Sequence, residues 1–161
     1  MAYPLNPPAG GGGGRKLPPL QYALYLLRNR ARTKRDMLVK LRDKGYEDNE
    51  VVATVEKLEK IGLLDDQKYA QNYTHDKIRI YRRGRHRIFL ELLQKGVPKD
   101  LINEAIGGIE QDQELEAARS LLESKERQWR DLTERKRYEK SVHLLQRRGF
   151  PGAVIREILK K

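Results

Sequence analysis

The chain has 161 residues, with 34 lysines and arginines against 23 aspartates and glutamates, so its net charge is +11 and its pI about 9.9. This length suits one medium domain or a short array of small ones, and the positive balance favours polyanionic partners such as nucleic acid or acidic protein. The absence of cysteine excludes disulfides and thiolate catalysis. No apolar stretch approaches a membrane span and none resembles a signal peptide, so we expect a cytoplasmic protein without membrane contact.

Residues 1–19 differ in composition from the rest of the chain. They hold five of the seven prolines and a run of five glycines, Gly10–Gly14. This composition predicts a flexible tail, because it offers too little apolar surface to pack a core. The glycine run follows no predicted strand and lacks the lysine and hydroxyl residue of a phosphate-binding loop.

A short signature then recurs three times: a leucine, two variable residues, a basic residue, a glycine and an apolar residue. The copies are Leu41–Tyr46, Leu92–Val97 and Leu145–Phe150, and their glycines are 51 and 53 residues apart. Such spacing is typical of stacked supersecondary repeats. Glycine tolerates the left-handed conformation just past a helix end, and the leucine and the last residue then occupy the positions that touch in a Schellman cap. The signature therefore predicts a helix end followed directly by another helix.

Apolar spacing predicts three helices in each repeat and no strands. The first helices are expected at Leu20–Arg30, Asp66–Ile80 and Asp112–Gln128. The second helices begin near Thr33, Arg85 and Glu134, and the third helices are started by Asp48, Pro98 and Pro151. The predicted fold is all-α: a tandem array of three three-helix repeats, 20–65, 66–109 and 110–161, forming an elongated, curved molecule.

Positive charge concentrates where the first helix of each repeat meets the second. The candidate partner- or DNA-binding residues are Arg30, Arg32, Lys34 and Arg35, then Arg79, Arg82, Arg83, Arg85 and Arg87, then Arg135, Lys136 and Arg137. Equivalent positions of stacked repeats align along one side, so we predict a basic stripe that attracts a polyanion. Arginine dominates the second cluster, and its planar fork suits phosphate and carboxylate. The alternative left open is that these residues form solvated helix faces.

No constellation for catalysis is recognisable. The three histidines are His75, His86 and His143, and no two of them are three to five residues apart, as a metal-binding pair on one helix would require. Asp65 and Asp66 are adjacent, but they precede a predicted helix, so helix capping is the interpretation we favour over a metal site. Glu91 and Glu104 are expected at the surface. We therefore predict a binding protein that is not an enzyme, with no metal and no cofactor.

The middle of the chain resembles a known family. Gly62–Ala70, with its Gly-Leu-Leu-Asp-Asp-x-x-Tyr-Ala pattern, is followed by a basic segment and by Ile88–Val97; this order resembles the RecX regulatory proteins. Arg147–Phe150 with Ile155 is similar to the C-terminal segment of that family. The resemblance implies an all-helical array and a cytoplasmic bacterial modulator, mostly an inhibitor, of the RecA recombinase and its ATP hydrolysis. It implies the RecA nucleoprotein filament as partner, DNA contact in some members, and a role in DNA repair, recombination and the SOS response.

Two other functions stay open. The helix–glycine–helix joints and the high pI are compatible with a DNA-binding protein built from helix-turn-helix-like units. Against this, two of the candidate recognition helices begin with acidic residues, Glu47–Asn49 and Pro98–Asp100, which repel phosphate. The third function is a helical scaffold for another acidic partner. We expect a monomer in every case.

Overall fold

The structure, a computed structural model, describes residues 16–160, and no strand occurs in that range. The helices are α1 (Pro19–Asn29), α2 (Lys34–Asp43), α3 (Asp48–Lys60), α4 (Asp66–Arg79), α5 (Arg85–Gln94), α6 (Lys99–Gly107), α7 (Gln111–Glu123), α8 (Glu126–Trp129), α9 (Glu134–Arg148) and α10 (Gly152–Leu159). The predicted all-α class is confirmed. We call α1–α3 the first unit, α4–α6 the second unit and α7–α10 the third unit.

Most of the predicted flexible tail, residues 1–15, lies outside the described residues. Its last residues are bound to the first unit. The Lys16 Nζ donates a 2.5 Å hydrogen bond to the carbonyl of Gly45, and the carbonyl of Leu17 accepts a 2.7 Å hydrogen bond from the Tyr46 hydroxyl. Pro19 begins α1, where its missing N–H costs no helical hydrogen bond.

The three signature glycines form the predicted helix ends. Gly45, Gly96 and Gly149 have φ of 83°, 78° and 85°. After the first of them, the Tyr46 N–H bonds the carbonyl of Leu41 at 3.3 Å, which is the long bond of a Schellman cap; the other two copies make the same bond. All three signature leucines are completely buried. Each cap therefore satisfies backbone carbonyls and anchors its helix end in the core.

The buried apolar residues form two separate clusters. One lies within the first unit and includes Met37, Leu41 and Leu58. The other spans the second and third units together and includes Ile88, Ile102 and Leu145. The second and third units thus share a continuous core, while no buried apolar residue of the first unit belongs to it. The first and second units are instead joined by hydrogen bonds, such as those of Thr33 and Asp66.

The second helices of the three units stack end to end, and we call α9, α5 and α2 the helix column. At its first joint the Gly84 N–H donates a 2.9 Å hydrogen bond to the Arg148 carbonyl, so the end of α9 meets the start of α5. At the other joint the Thr33 hydroxyl donates a 2.7 Å hydrogen bond to the Lys95 carbonyl, so the end of α5 meets the start of α2. Each joint places the negative end of one helix dipole against the positive end of the next.

An acidic side chain from the following unit completes each joint. The Asp66 carboxylate accepts a 2.9 Å hydrogen bond from the backbone N–H of Lys34, the first residue of α2. The Glu114 carboxylate accepts a 3.0 Å hydrogen bond from the backbone N–H of Arg85, the first residue of α5. Both acids are buried. They satisfy N–H groups that a helix start leaves without an intrahelical partner.

One helix is shorter than predicted. The apolar spacing predicts a single helix over Asp112–Gln128, but α7 ends at Glu123 and a short separate helix carries Trp129. The reason lies in Ser124, whose hydroxyl donates a 2.6 Å hydrogen bond to the carbonyl of Leu121. This local bond competes with continued helical pairing and turns the chain.

The start of α3 also differs from the prediction. Glu47, not Asp48, is the residue before the helix, and its backbone N–H donates a 3.1 Å hydrogen bond to the Glu50 carboxylate. Asp48 instead forms an ion pair of 2.8 Å with the Arg42 Nε. The prediction for Asp65 was correct: its carboxylate accepts a 2.9 Å hydrogen bond from the Lys68 N–H at the start of α4.

Candidate partner-binding surface

The loop between α4 and α5 exposes two large apolar side chains next to each other. Ile80 is 65% exposed and Tyr81 is 50% exposed. The following residue, Arg82, has φ of +49° and is the one non-glycine residue with positive φ within residues 16–160. A strained backbone beside exposed aromatic and cationic side chains is common where a protein meets a partner. This loop is therefore the centre of the candidate surface.

The end of α9 adds two arginines to this loop. The Arg148 guanidinium donates a 3.1 Å hydrogen bond to the Tyr81 carbonyl, and Arg147 precedes it in the same turn. We call the set formed by α4, its loop and this turn the basic surface; its members are Lys77, Arg79, Arg82, Arg83, Arg147 and Arg148. Sequence reasoning did not place Lys77, Arg147 and Arg148 among the site residues. The sequence signal that could have identified Arg147 and Arg148 was their position directly before the third signature glycine, because the helix end at that glycine forms a joint of the helix column.

Like charges are crowded on the basic surface. Burial lowers the pKa of the Arg148 guanidinium, and the positive charges of Arg83, Arg147 and Arg82 lower that pKa further. Burial also lowers the pKa of the Lys77 ammonium, helped by Arg83 and Lys95. Uncompensated positive charge of this kind is relieved by a bound anion, so the surface is suited to a negatively charged partner.

Several predicted arginines of the second unit are engaged in structural bonds. Arg83 and Arg87 both pair with Glu91, which also accepts a 2.8 Å hydrogen bond from the Tyr73 hydroxyl. Glu91 is only 9% exposed, so its expected surface position was wrong: the helix face that carries it turns toward the two arginines. Arg85 pairs with the buried Glu114 at 2.7 Å. These bonds orient the guanidinium groups and neutralise part of their charge.

The remaining arginines of that cluster contact neutral groups. The Arg82 Nε donates a 2.8 Å hydrogen bond to the Ser120 hydroxyl on the third unit, and the Arg79 guanidinium donates one of 2.9 Å to the His75 ring. Neither of these two arginines is ion-paired with an acidic side chain within residues 16–160. The ring of Tyr81 lies under the Lys77 ammonium, 3.9 Å from its centroid, which fixes the ring at the edge of the basic surface.

The first predicted cluster lies at the other joint of the column. Arg32 pairs with Asp36 at 2.5 Å, and Lys34 pairs with Glu59. The side chains of Arg30 and Arg35 are exposed and make no hydrogen bond or ion pair within residues 16–160. Since α5 has ten residues, the two joints are about 15 Å apart along the column.

The third predicted cluster is not brought to a joint. Arg135, Lys136 and Arg137 lie at the start of the 15-residue α9, which separates them from the Gly84 joint by about 17–20 Å. Arg135 pairs with Glu139 at 3.1 Å, and Arg137 donates to backbone carbonyls. Arg137 also lines a groove of about 710 Å³ in the third unit, beside Trp129. That groove holds four arginines and three glutamates, so its charges nearly balance.

Two negative findings hold for the part of the chain that the structure describes. No group of three or more histidine, aspartate and glutamate side chains could hold a metal ion there. No helix in the same range is long and apolar enough to cross a membrane.

Family models for three consecutive domains match the chain. Residues 20–58 match the first three-helix domain of RecX, residues 65–106 the second, and residues 111–159 the third. A RecX regulatory protein from Chlorobaculum tepidum is 33% identical over 147 residues, which cover 91% of this chain and 89% of that one. One from Geobacillus kaustophilus is 32% identical over 139 residues, 86% of this chain but 52% of the longer relative.

Solved structures agree with this relationship. A crystal structure of RecX from Lactobacillus salivarius covers 88% of this chain with a TM-score of 0.80 at 23% identity, a likeness of fold. Another regulatory protein RecX covers 87% with a TM-score of 0.78 at 28% identity. Fold and matches together define an all-helical regulatory protein built from three-helix repeats. The chain belongs to the RecX family.

Proposed function

We propose that this protein binds the RecA–DNA filament and inhibits the recombinase, lowering ATP hydrolysis and strand exchange in repair, recombination and the SOS response. The observation that carries the proposal is the position of positive charge on the helix column. The cations gather at its two joints, about 15 Å apart along α5. A filament offers repeated protomers, and an array whose units each touch a different protomer gains affinity from effective concentration.

Membership of a regulatory family supports this proposal. The contact requires no covalent chemistry by this chain, since holding neighbouring protomers together or blocking the filament end would alter turnover. The protein acts in this proposal as a cytoplasmic monomer. Ile80 and Tyr81 supply exposed anchors and the basic surface supplies the charge that steers association with an acidic groove or with DNA phosphates.

The test is RecA-dependent ATP hydrolysis on single-stranded DNA, with this protein added well below one molecule per RecA. A marked fall at such ratios is expected, because one molecule would affect several protomers or a filament end. Unchanged hydrolysis up to equimolar amounts, in salt that keeps the basic protein in solution, would remove the proposal.

The second candidate is a protein that reads DNA sequence directly. The exposed Tyr81 beside arginines favours some DNA contact, because aromatic rings stack on bases while arginines hold phosphates. The first turn of α3 opposes base reading, since it carries Asp48 and Glu50. A sequence-reading protein should prefer one duplex over random DNA by roughly 10³-fold or more. Competition binding without such a preference would remove this candidate.

A further inference from the structure

The two joints of the helix column are built alike, so they can be compared position by position. Thr33 and Gly84 are the residues before α2 and α5, and two residues earlier stand Ala31 and Arg82. Lys95 and Arg148 both precede a signature glycine and both present their carbonyl to the joint. The pairs Ala31 with Arg82 and Lys95 with Arg148 are therefore structurally equivalent.

The side chains at these two equivalent positions determine whether the gap at a joint is spanned, which we call a closed joint, or left as a cleft. Between the second and third units, Arg82 bonds Ser120 and Arg148 bonds the Tyr81 carbonyl, so long side chains span the gap. Between the first and second units, Ala31 is too short to reach across. The Lys95 ammonium makes no hydrogen bond or ion pair within residues 16–160 and lies 5.4 Å from the Tyr73 ring centroid. A cleft of about 280 Å³ remains there.

The open cleft carries positive charge without a free acid. Arg30 and Arg35 enter from the first unit and Lys95 from the second, and none of these three is ion-paired in the described part of the chain. The one acid in the lining, Asp36, is already paired with Arg32. Tyr69, Val39 and the stem of Gln94 complete the walls.

We propose that this cleft binds a single acidic side chain, a glutamate or aspartate, of a protein partner. Guanidinium and ammonium groups that line one cleft suit a carboxylate, and the walls from Val39 and Tyr69 suit the methylene stem that carries it. A recess of this size accepts a protruding side chain, whereas the phosphates of nucleic acid lie along a continuous backbone that such a recess contacts only at its rim. Where the partner is taken to be the RecA filament, this proposal rests on the proposed function.

Binding would also connect two parts of the molecule. The carboxylate would bridge Arg30 and Arg35 of the first unit to Lys95 of the second, and these units share no buried apolar core. The bound partner would thereby hold the first unit in one orientation. The closed joint needs no such ligand, because Arg82 and Arg148 already connect its two sides.

The experiment closes the cleft by copying the other joint. The variant Ala31→Arg with Lys95→Arg introduces the two side chains found there, and it adds positive charge. The matched control, Ala53→Arg with Lys57→Arg, makes the same changes on exposed positions of α3. A second variant, Arg30→Ala with Lys95→Ala, removes charge and leaves space. Amide NMR spectra establish that each variant is folded.

The probes are a hexaglutamate peptide and a hexathymidylate oligonucleotide, titrated separately while the amide signals of 30–39 and 94–95 are followed. Saturable hexaglutamate binding in the original protein and the α3 control is expected, at least tenfold weaker in both cleft variants. Equal binding by all four proteins would overturn the proposal. So would stronger perturbation of the cleft by hexathymidylate, which would assign it to nucleic acid.

Sedimentation with RecA filaments separates this proposal from the proposed function. The closed-cleft variant should bind the filament at least tenfold more weakly than the α3 control, although both carry the same added charge. If the original protein fails to bind filaments while hexaglutamate still occupies the cleft, the proposed function fails and an acidic protein partner other than RecA is indicated. If filaments bind the closed-cleft variant and the control equally, the cleft is not the contact.

Discussion

Glu114 of the third unit holds Arg85 of the second by two hydrogen bonds, 3.0 Å from the backbone N–H and 2.7 Å from Nε. The Glu114 side chain is fully buried. One carboxylate thus caps the start of α5 and neutralises the arginine beside it. Asp66 caps α2 in the same way, so this contact between neighbouring units is used twice.

Removal of the Glu114 carboxylate should destabilise the protein strongly. Glu114→Ala leaves Arg85 without its ion pair and an N–H without its acceptor, for a loss of about 3 kcal/mol in the free energy of unfolding. Urea denaturation followed by circular dichroism measures the loss. Glu116→Ala, which breaks an exposed pair with Arg119, should change stability by less than about 0.5 kcal/mol. Similar losses in both variants would contradict the structural role of Glu114.

Alanine substitutions at two glycines allow the cost of backbone strain to be measured separately from the cost of a steric clash between units. Gly62 and Gly149 both have positive φ, 73° and 85°, so alanine at either costs about 1 kcal/mol. A Cβ at Gly62 meets open space, whereas a Cβ at Gly149 would overlap the backbone of Arg87 in the second unit. We expect Gly149→Ala to cost roughly 2 kcal/mol more than Gly62→Ala. Equal thermal unfolding temperatures for the two variants would show that this approach is not close.

The backbone of Arg82 should be strained, because a residue with a side chain disfavours positive φ. Arg82→Ala and Arg82→Gly both lose the hydrogen bond to Ser120 and the positive charge, but only glycine tolerates a φ of +49° freely. The glycine variant should therefore be more stable than the alanine variant by about 1 kcal/mol, even though glycine gains more entropy in the unfolded chain. Chemical denaturation of the pair tests this difference directly. A more stable alanine variant would mean that residue 82 leaves the left-handed region.

Stability should depend on pH through Asp66. Burial raises the pKa of its carboxyl above the usual value, outweighing the hydrogen bond from the Lys34 N–H. The folded protein then binds more protons than the unfolded chain between the two pKa values, so the contribution of Asp66 to the free energy of unfolding falls as pH rises through that window. The destabilisation caused by ionised, buried Asp66 is fully present above its folded-state pKa and absent below its unfolded-state pKa.

The variant Asp66→Asn keeps an oxygen acceptor for the Lys34 N–H but cannot ionise. Over the pH range from about 4, the usual pKa of an aspartate carboxyl, up to the raised pKa of Asp66, the free energy of unfolding of the original protein should fall relative to that of Asp66→Asn. Urea titrations across this range provide the comparison, and Asp100→Asn at an exposed position of α6 is the control. Parallel pH profiles for the original protein and Asp66→Asn would refute the raised pKa.

Arg147 is the cleanest probe of the basic surface. Its side chain is exposed and makes no hydrogen bond or ion pair within residues 16–160, so Arg147→Glu should leave the fold intact. We expect it to weaken binding to RecA filaments about fivefold, mostly through slower association. Arg156→Glu on α10 is the matched control. Replacing Arg83, Arg85 and Arg87 together would be less informative, because it would also leave the buried Glu91 and Glu114 without ion-pair partners.

The sequence predicts the helix ends well because a cap is a local structure. Leu41, Gly45 and Tyr46 are within six residues of one another, and their bonds depend on little else. The same holds for Asp65 and the start of α4. Ser124 shows the limit even of local reasoning, since apolar spacing continued past the residue whose hydroxyl ends α7.

The surface could be predicted only in part, because its geometry depends on contacts between distant residues. Arg85 and Glu114 are 29 residues apart, and Arg148 is 67 residues from the Tyr81 carbonyl that it bonds. Charge clustering therefore identified the arginines at the joints without showing which of them face a buried acid. It also missed Arg147 and Arg148, which reach the basic surface through end-to-end stacking of α9 and α5.

The separate cores give the molecule uneven mechanical strength. A force that pulls the two ends of the array apart would have to separate a shared apolar core between the second and third units, where Ile88 and Leu145 belong to one cluster. Between the first and second units it would meet hydrogen bonds such as those of Thr33 and Asp66, which rupture over a short extension. The first unit would therefore detach while the second and third units stayed together.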